Sequence, residues 1–235
     1  MNQYDNPTFF AEYAKMSRSQ YGLEGAGEWH QLEPLFPDLS GKTVLDLGCG
    51  YGWHCKYAAD KGAATVVGID RSSLMIAEAK GRNAHERIEY RICGIQDYEY
   101  PEDSYDLVVS NLVLHYVENL DEIYRLVRRT LKPGGTFLFN IEHPTFTAGV
   151  HQQFAADGTW PVTDYYYPGV RTTDFLGQEV QKYHHTLTQI LNGLLKAGFV
   201  IEAVEEAMPP EAWRDQMPEE MRRPMMLLVR ARKEI

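Results

Sequence analysis

Cysteine is scarce in this chain: only Cys49, Cys55 and Cys93 occur among 235 residues. Their odd number and the lack of a C-x-x-C pair argue against a disulfide framework, so reduced thiols in a cytoplasmic setting are expected. Long apolar runs are missing too. Nothing approaches the roughly 20 residues of a membrane-spanning helix, and the opening MNQYDNPTFF is polar, without the apolar stretch of a signal peptide. No block of Lys and Arg occurs, and a net charge of −10 disfavours a nucleic-acid backbone as partner. His184 and His185 are adjacent, which is not a zinc spacing, and no Cys/His cluster supports a metal. Repeats, low-complexity tracts and a second-domain linker are likewise absent. The expectation is one domain over 1–235, a monomer or homodimer, with neither nucleic acid nor membrane as partner.

What remains is an ordinary globular composition, 44% hydrophobic and 24% charged, in a chain long enough for a full core. Apolar strand-like runs alternate with helical patterns, the signature of a parallel sheet. Strands are expected at Thr43–Leu47, Thr65–Asp70, Ile88–Ile92, Tyr105–Ser110 and Thr136–Ile141. Lys132-Pro-Gly-Gly135 reads as the stop of the helix before the fifth strand. A helix over Thr186 to Ala197 and strands at Phe199–Val204 and Met225–Ala231 complete the pattern. Ahead of it, residues 1–39 read as a helical cover, with Phe9, Phe10, Tyr13 and Met16 at helical spacing behind Asn6-Pro7 and a second short helix over Trp29–Phe36. Between 143 and 183 no periodicity is clear, and a stretch that long is expected to be either a substrate lid or packing over the sheet edge.

The stretch Val44-Leu-Asp-Leu-Gly-Cys-Gly-Tyr-Gly52 carries the most chemistry. A short apolar strand with one acid, Asp46, runs into glycines at 48, 50 and 52, and a helix follows. Glycine permits positive φ and close backbone approach, and a helix start offers free N–H groups to an anion. The dinucleotide fingerprint G-x-G-x-x-G would require a glycine at 53, where Trp53 stands. The pattern is D-x-G-x-G-x-G instead. Asp70 ends the second strand, placed either to accept hydrogen bonds from both hydroxyls of a ribose or to cap the next helix. Two more constellations follow: Cys93-Gly-Ile-Gln-Asp97 after the third strand, and Tyr105 to His115 along and beyond the fourth. His143 directly follows the fifth strand, at the carboxyl edge where open α/β sheets bind ligands.

The glycine pattern resembles motif I of the class I S-adenosylmethionine-dependent methyltransferases, and the three downstream constellations resemble that family's later landmarks in order. The flanking regions are similar to the small-molecule "type 11" branch. The resemblance covers residues 40–142 in its motifs and 186–232 in element pattern. It implies a doubly wound, Rossmann-like seven-stranded sheet of order 3-2-1-4-5-7-6, with the seventh strand antiparallel and an insertion after the fifth. It also implies S-adenosyl-L-methionine as cofactor and methyl transfer to an O, N or C atom. Cofactor contacts are thereby expected from Asp46, Gly48, Cys49, Gly50 and Gly52, from Asp70 and Arg71, and from Ile95 and Gln96 at adenine. Ser110 and Asn111 are expected at the methionine part, with Tyr13 and Arg18 of the N-terminal cover near its carboxylate. The chain departs from the commoner family pattern at Gly94, where an aspartate is usual. His115 and His143 are the candidate general bases; a substrate hydrogen-bond partner and, foremost, a packing residue are the other readings of His115. Trp160, Tyr166, Tyr167 and His184 are the candidate acceptor contacts. A module that binds the cofactor without turnover and a nicotinamide-dependent oxidoreductase are the rival readings.

Overall fold

A computed structural model of the protein describes residues 3–149 and 151–234. Seven strands form one sheet in the order β3-β2-β1-β4-β5-β9-β8, from β1 (Thr43–Leu47), β2 (Thr65–Asp70), β3 (Ile88–Ile92), β4 (Tyr105–Asn111), β5 (Leu131–Glu142), β8 (Phe199–Ala207) and β9 (Met226–Lys233). The first five pair in parallel, whereas β9 runs antiparallel to both β5 and β8. This is the expected order 3-2-1-4-5-7-6 once the two strands of the insertion are set aside.

Side-chain alternation explains why both faces are covered. Leu45 and Leu47, Val108, Phe137, Phe139 and Ile141 project to one core, against α6 (Leu120–Thr130) and α8 (Leu187–Lys196). Val44, Leu107, Val109, Leu138 and Leu228 project to the other, against α3 (Trp29–Leu32), α4 (Trp53–Asp60) and α5 (Ser73–Arg82). With both faces buried, the central strands read as continuous apolar runs.

Several local boundaries differ from those expected. The N-terminal pattern is two helices, α1 (Pro7–Tyr13) and α2 (Ser17–Tyr21), because Met16 takes an extended conformation between them. Lys132-Pro-Gly-Gly135 lies inside β5 and accompanies an irregularity in its pairing with β4. The helix expected over Thr186 to Ala197 runs from Leu187 to Lys196, with a capping box of Thr186 and Gln189 at its start.

The insertion contains structure that the sequence did not suggest. After α7 (Pro144–Thr147), strands β6 (Gly169–Phe175) and β7 (Gln178–His184) form an antiparallel hairpin with the two-residue turn Leu176-Gly177. Both turn residues have positive φ, 55° and 72°, as a type I′ turn requires. Among the described residues, no helix is long and apolar enough to cross a membrane.

Candidate active site

The turn after β1 is built by three glycines, required for two different reasons. All have positive φ, 74°, 51° and 78° at Gly48, Gly50 and Gly52. A Cβ on Gly48 would clash with Val113 Cγ2, and one on Gly52 with the Tyr90 hydroxyl. A Cβ on Gly50 would meet nothing within 4 Å. The outer glycines are therefore held by packing, and the middle one faces open space. The backbone N–H groups of Gly48 and Cys49 both donate to the Ile69 carbonyl at 2.8 Å, which ties the turn to the end of β2.

That open space is a cavity of about 460 Å³, within the range usual for small-molecule sites. Its walls come from the carboxyl ends of the strands and from the N-terminal helices. Gly48, Cys49, Gly50 and Tyr51 form one side; Asp70 and Arg71, and Gly94, Ile95 and Gln96, form the next. Asn111, Leu112, His115 and Tyr116 follow beyond β4, and Tyr4, Tyr13 and Arg18 close the cavity from above.

Asp70 is fixed before any ligand arrives. Its Oδ2 accepts from the Gly50 N–H at 3.0 Å and its Oδ1 from the Ser72 N–H at 2.8 Å, while Ser72 itself caps α5. Burial raises the Asp70 pKa against these two hydrogen bonds. Each oxygen retains a further lone pair for a ligand hydroxyl. At the next turn, a Cβ on Gly94 would stand 2.6 Å from Asp97 Oδ2. The Asp97 carboxylate thus fills the place of the side chain that Gly94 lacks.

Arg18 donates through Nη1 and Nη2 to the two carboxylate oxygens of buried Glu28, at 3.0 and 3.1 Å. Burial opposes both charges, yet the pair outweighs it, so the Arg18 pKa is raised and that of Glu28 lowered. Asn140 donates to Glu28 at 3.3 Å and to the Asn111 side-chain oxygen at 2.9 Å. The network holds Arg18 and Asn111 on the cavity wall. Leu112, between Asn111 and Val113, has φ 56°, a strained value for a leucine that the surrounding packing must hold in place.

A second polar cluster lies at the cavity end near β5. Lys182 Nζ donates to Glu142 Oε1 at 2.6 Å, with the two side chains only 4% and 7% exposed. His115 Nε2 stands 3.8 Å from the same oxygen. Burial pushes the His115 imidazole down to about 4, so it is neutral near pH 7. Tyr116, its neighbour, shares a hydrogen bond with the hydroxyl of Tyr4 at 3.0 Å.

Other expected site residues fall elsewhere. Asp46 lies beneath the glycine turn and accepts from Cys55 Sγ at 3.2 Å; burial raises its pKa to about 7. Ser110 donates to the Leu47 carbonyl, and Gly52 backs onto Tyr90, so neither is on the cavity wall. His143 is turned away: Nδ1 bonds to Thr145 as the cap of α7, and Nε2 faces Glu206 at 2.9 Å.

The four expected acceptor contacts are also displaced from the cavity. Tyr166 and Tyr167 are 85% and 72% exposed. Trp160 stacks on Phe146 beneath the Arg223 guanidinium and donates to the Thr145 carbonyl. His184 spends both ring nitrogens on Thr147 and the Tyr165 carbonyl. From the insertion, Phe175, Gln181, Lys182 and Tyr183 reach the wall in their place. Their signal was hidden because the hairpin's inward face is polar. Arg171, Thr173, Lys182 and His184 are buried beside Val180, while Val170 is exposed, which blurs the usual alternation.

Comparison with known proteins agrees with this arrangement. Residues 45–139 match the model of a methyltransferase domain. A candidate S-adenosylmethionine-dependent methyltransferase from Listeria monocytogenes superposes with a TM-score of 0.85 at 46% identity, over 91% of this chain and 100% of that one. An S-adenosylmethionine-dependent methyltransferase from Mesorhizobium loti gives 0.84 at 41% identity, over 90% and 100%. The N-demethylindolmycin N-methyltransferase of Streptomyces griseus is 32% identical over 80% of this chain and 79% of its own length. With the glycine turn, Asp70 and the sheet order in place, the chain belongs to the S-adenosylmethionine-dependent methyltransferases.

Proposed function

We propose that the enzyme methylates a small molecule, with the cofactor lying along the carboxyl edge of β1, β2 and β4 and the acceptor beside His115, Glu142 and Lys182. The observation that carries this reading is the pairing of Gly50 with Asp70. A turn whose central glycine faces empty space meets a buried carboxylate with a spare lone pair on each oxygen. Asp70 takes the ribose hydroxyls, Ile95 packs on the adenine, and Gln96 and Asp97 read its edge. Arg18 and Asn111, held by Glu28 and Asn140, take the amino-acid end. Bound there, S-adenosylmethionine supplies an activated sulfonium methyl group. The chain then has chiefly to align an acceptor lone pair and exclude water, and alignment alone can supply about 7–11 kcal/mol. The segment 143–183 serves as the lid, with Lys182 on Glu142 as its fastening to the sheet.

Calorimetric titration with S-adenosylhomocysteine tests the site. Asp70→Ala is expected to weaken binding by about 1.5–3 kcal/mol, the scale of hydrogen bonds to a charged group. Equal affinity in the variant and the parent would remove Asp70 from the site.

A further inference from the structure

We propose that the acceptor atom is an amine nitrogen and that Glu142 is the residue that selects it. This rests on the reading that the neighbouring part of the cavity holds S-adenosylmethionine. Of the two oxygens of the buried Glu142 carboxylate, Oε1 is taken by Lys182, and Oε2 has no hydrogen-bond partner. A buried carboxylate oxygen left unpaired is costly, and Glu142 belongs to the cavity wall. What completes it is a hydrogen-bond donor on the ligand.

Three acceptor classes compete, and the cluster separates them. A carboxylate acceptor would need no base, but it would set a second anion against Oε2. Lys182 offers it little, because that ammonium is already bound to Glu142 and lies over the rings of Phe175 and Phe146, 5.2 and 5.8 Å from their centroids. A hydroxyl acceptor would satisfy Oε2, but its oxygen must lose a proton to become a competent nucleophile. His115 is the imidazole at hand, and with its pKa down at about 4 it is a weak base for that task. An ammonium ion gives up its proton to solvent far more readily than an alcohol does, so an amine can enter with its lone pair free and still donate an N–H to Oε2. Its nitrogen forms the new bond to the methyl carbon, the C–S bond breaks with its electron pair retained by sulfur, and the positive charge passes from sulfur to nitrogen. The methylated nitrogen is an alkylammonium ion that keeps its protons near pH 7, so the transfer itself needs no base. Aromatic and apolar walls from Tyr116, Val117, Phe175 and Met226 fit an amine on an apolar body.

The probes are benzylamine, benzyl alcohol and benzoate, titrated by calorimetry into the full-length protein with and without saturating S-adenosylhomocysteine. Benzylamine is expected to bind at least tenfold more tightly than either analogue. Glu142→Gln should lose at least tenfold of that affinity while keeping the parent affinity for S-adenosylhomocysteine. If Glu142→Gln fails to fold, Glu142→Gln with Lys182→Met leaves no unpaired charge and repeats the comparison. Preference for benzoate or benzyl alcohol, no binding of benzylamine, or benzylamine binding that survives the loss of Glu142 would each overturn the proposal. Failure of S-adenosylhomocysteine to bind would instead sink the cofactor site, and the titrations without it still decide the amine preference.

Discussion

At the residue scale, glycines that look equivalent in the sequence do different work. Gly50→Ala adds a methyl group in open space, so its cost to folding is the strain of positive φ, about 1–2 kcal/mol. Gly52→Ala carries the same strain and drives a Cβ against the Tyr90 hydroxyl. The expected outcome is that Gly52→Ala lowers the unfolding midpoint clearly more than Gly50→Ala, whereas Gly50→Ala loses more cofactor affinity per unit of stability lost. Denaturant unfolding and calorimetry on the two variants check this; a reversed order would mean the turn does not face the ligand as described. His115 gives a pH test. Burial holds its pKa near 4 against 6.5 for a free imidazole. Between those values the unfolded chain binds a proton that the folded chain refuses, so this histidine's effect is to lower stability as the pH falls. The stability of the parent relative to His115→Gln should therefore decrease by at most about 1.4 kcal/mol per unit from pH 6.5 to 4. A difference independent of pH would place the imidazole in water.

At the element scale, the five parallel strands and their helices were legible because sheet and helix periods stood in the apolar residues. The hairpin β6–β7 was not. Its inward face is polar, and its type I′ turn has Leu176 where Asn or Asp would announce it. Leu176→Asn should therefore stabilise the protein by about 0.5–1 kcal/mol in denaturant unfolding, because asparagine tolerates φ near 55° better than leucine. The same hidden pattern explains the site's misplaced members. Tyr166, Tyr167 and Trp160 are aromatic residues of a stretch without sequence periodicity, whereas the residues that reach the cavity, Lys182 and its neighbours in β7, depend on how the hairpin folds back. Lys182→Met leaves Glu142 buried without its partner and should cost about 3–5 kcal/mol, most of it recovered when Glu142→Gln is added. Additive losses in the double variant, read by unfolding, would show that the pair is not coupled.

At the scale of the whole molecule, the sheet edge, the N-terminal helices and the insertion converge on one cavity, although they are far apart in the chain. Asp70, Gly50 and Arg18 were readable as candidates from motif and resemblance, each near a recognisable strand end or helix. Glu142 and Lys182 were not, since their meeting depends on how the insertion folds back. The proposed chemistry depends on where the cofactor lies. Diffraction from crystals grown with S-adenosylhomocysteine tests it most directly. The expected map places the ribose hydroxyls within hydrogen-bond reach of both Asp70 carboxylate oxygens, roughly 2.5–3.0 Å, with the amino-acid end toward Arg18 and Asn111. Ligand density away from the Gly48–Gly52 turn, or a ribose turned from Asp70, would contradict it.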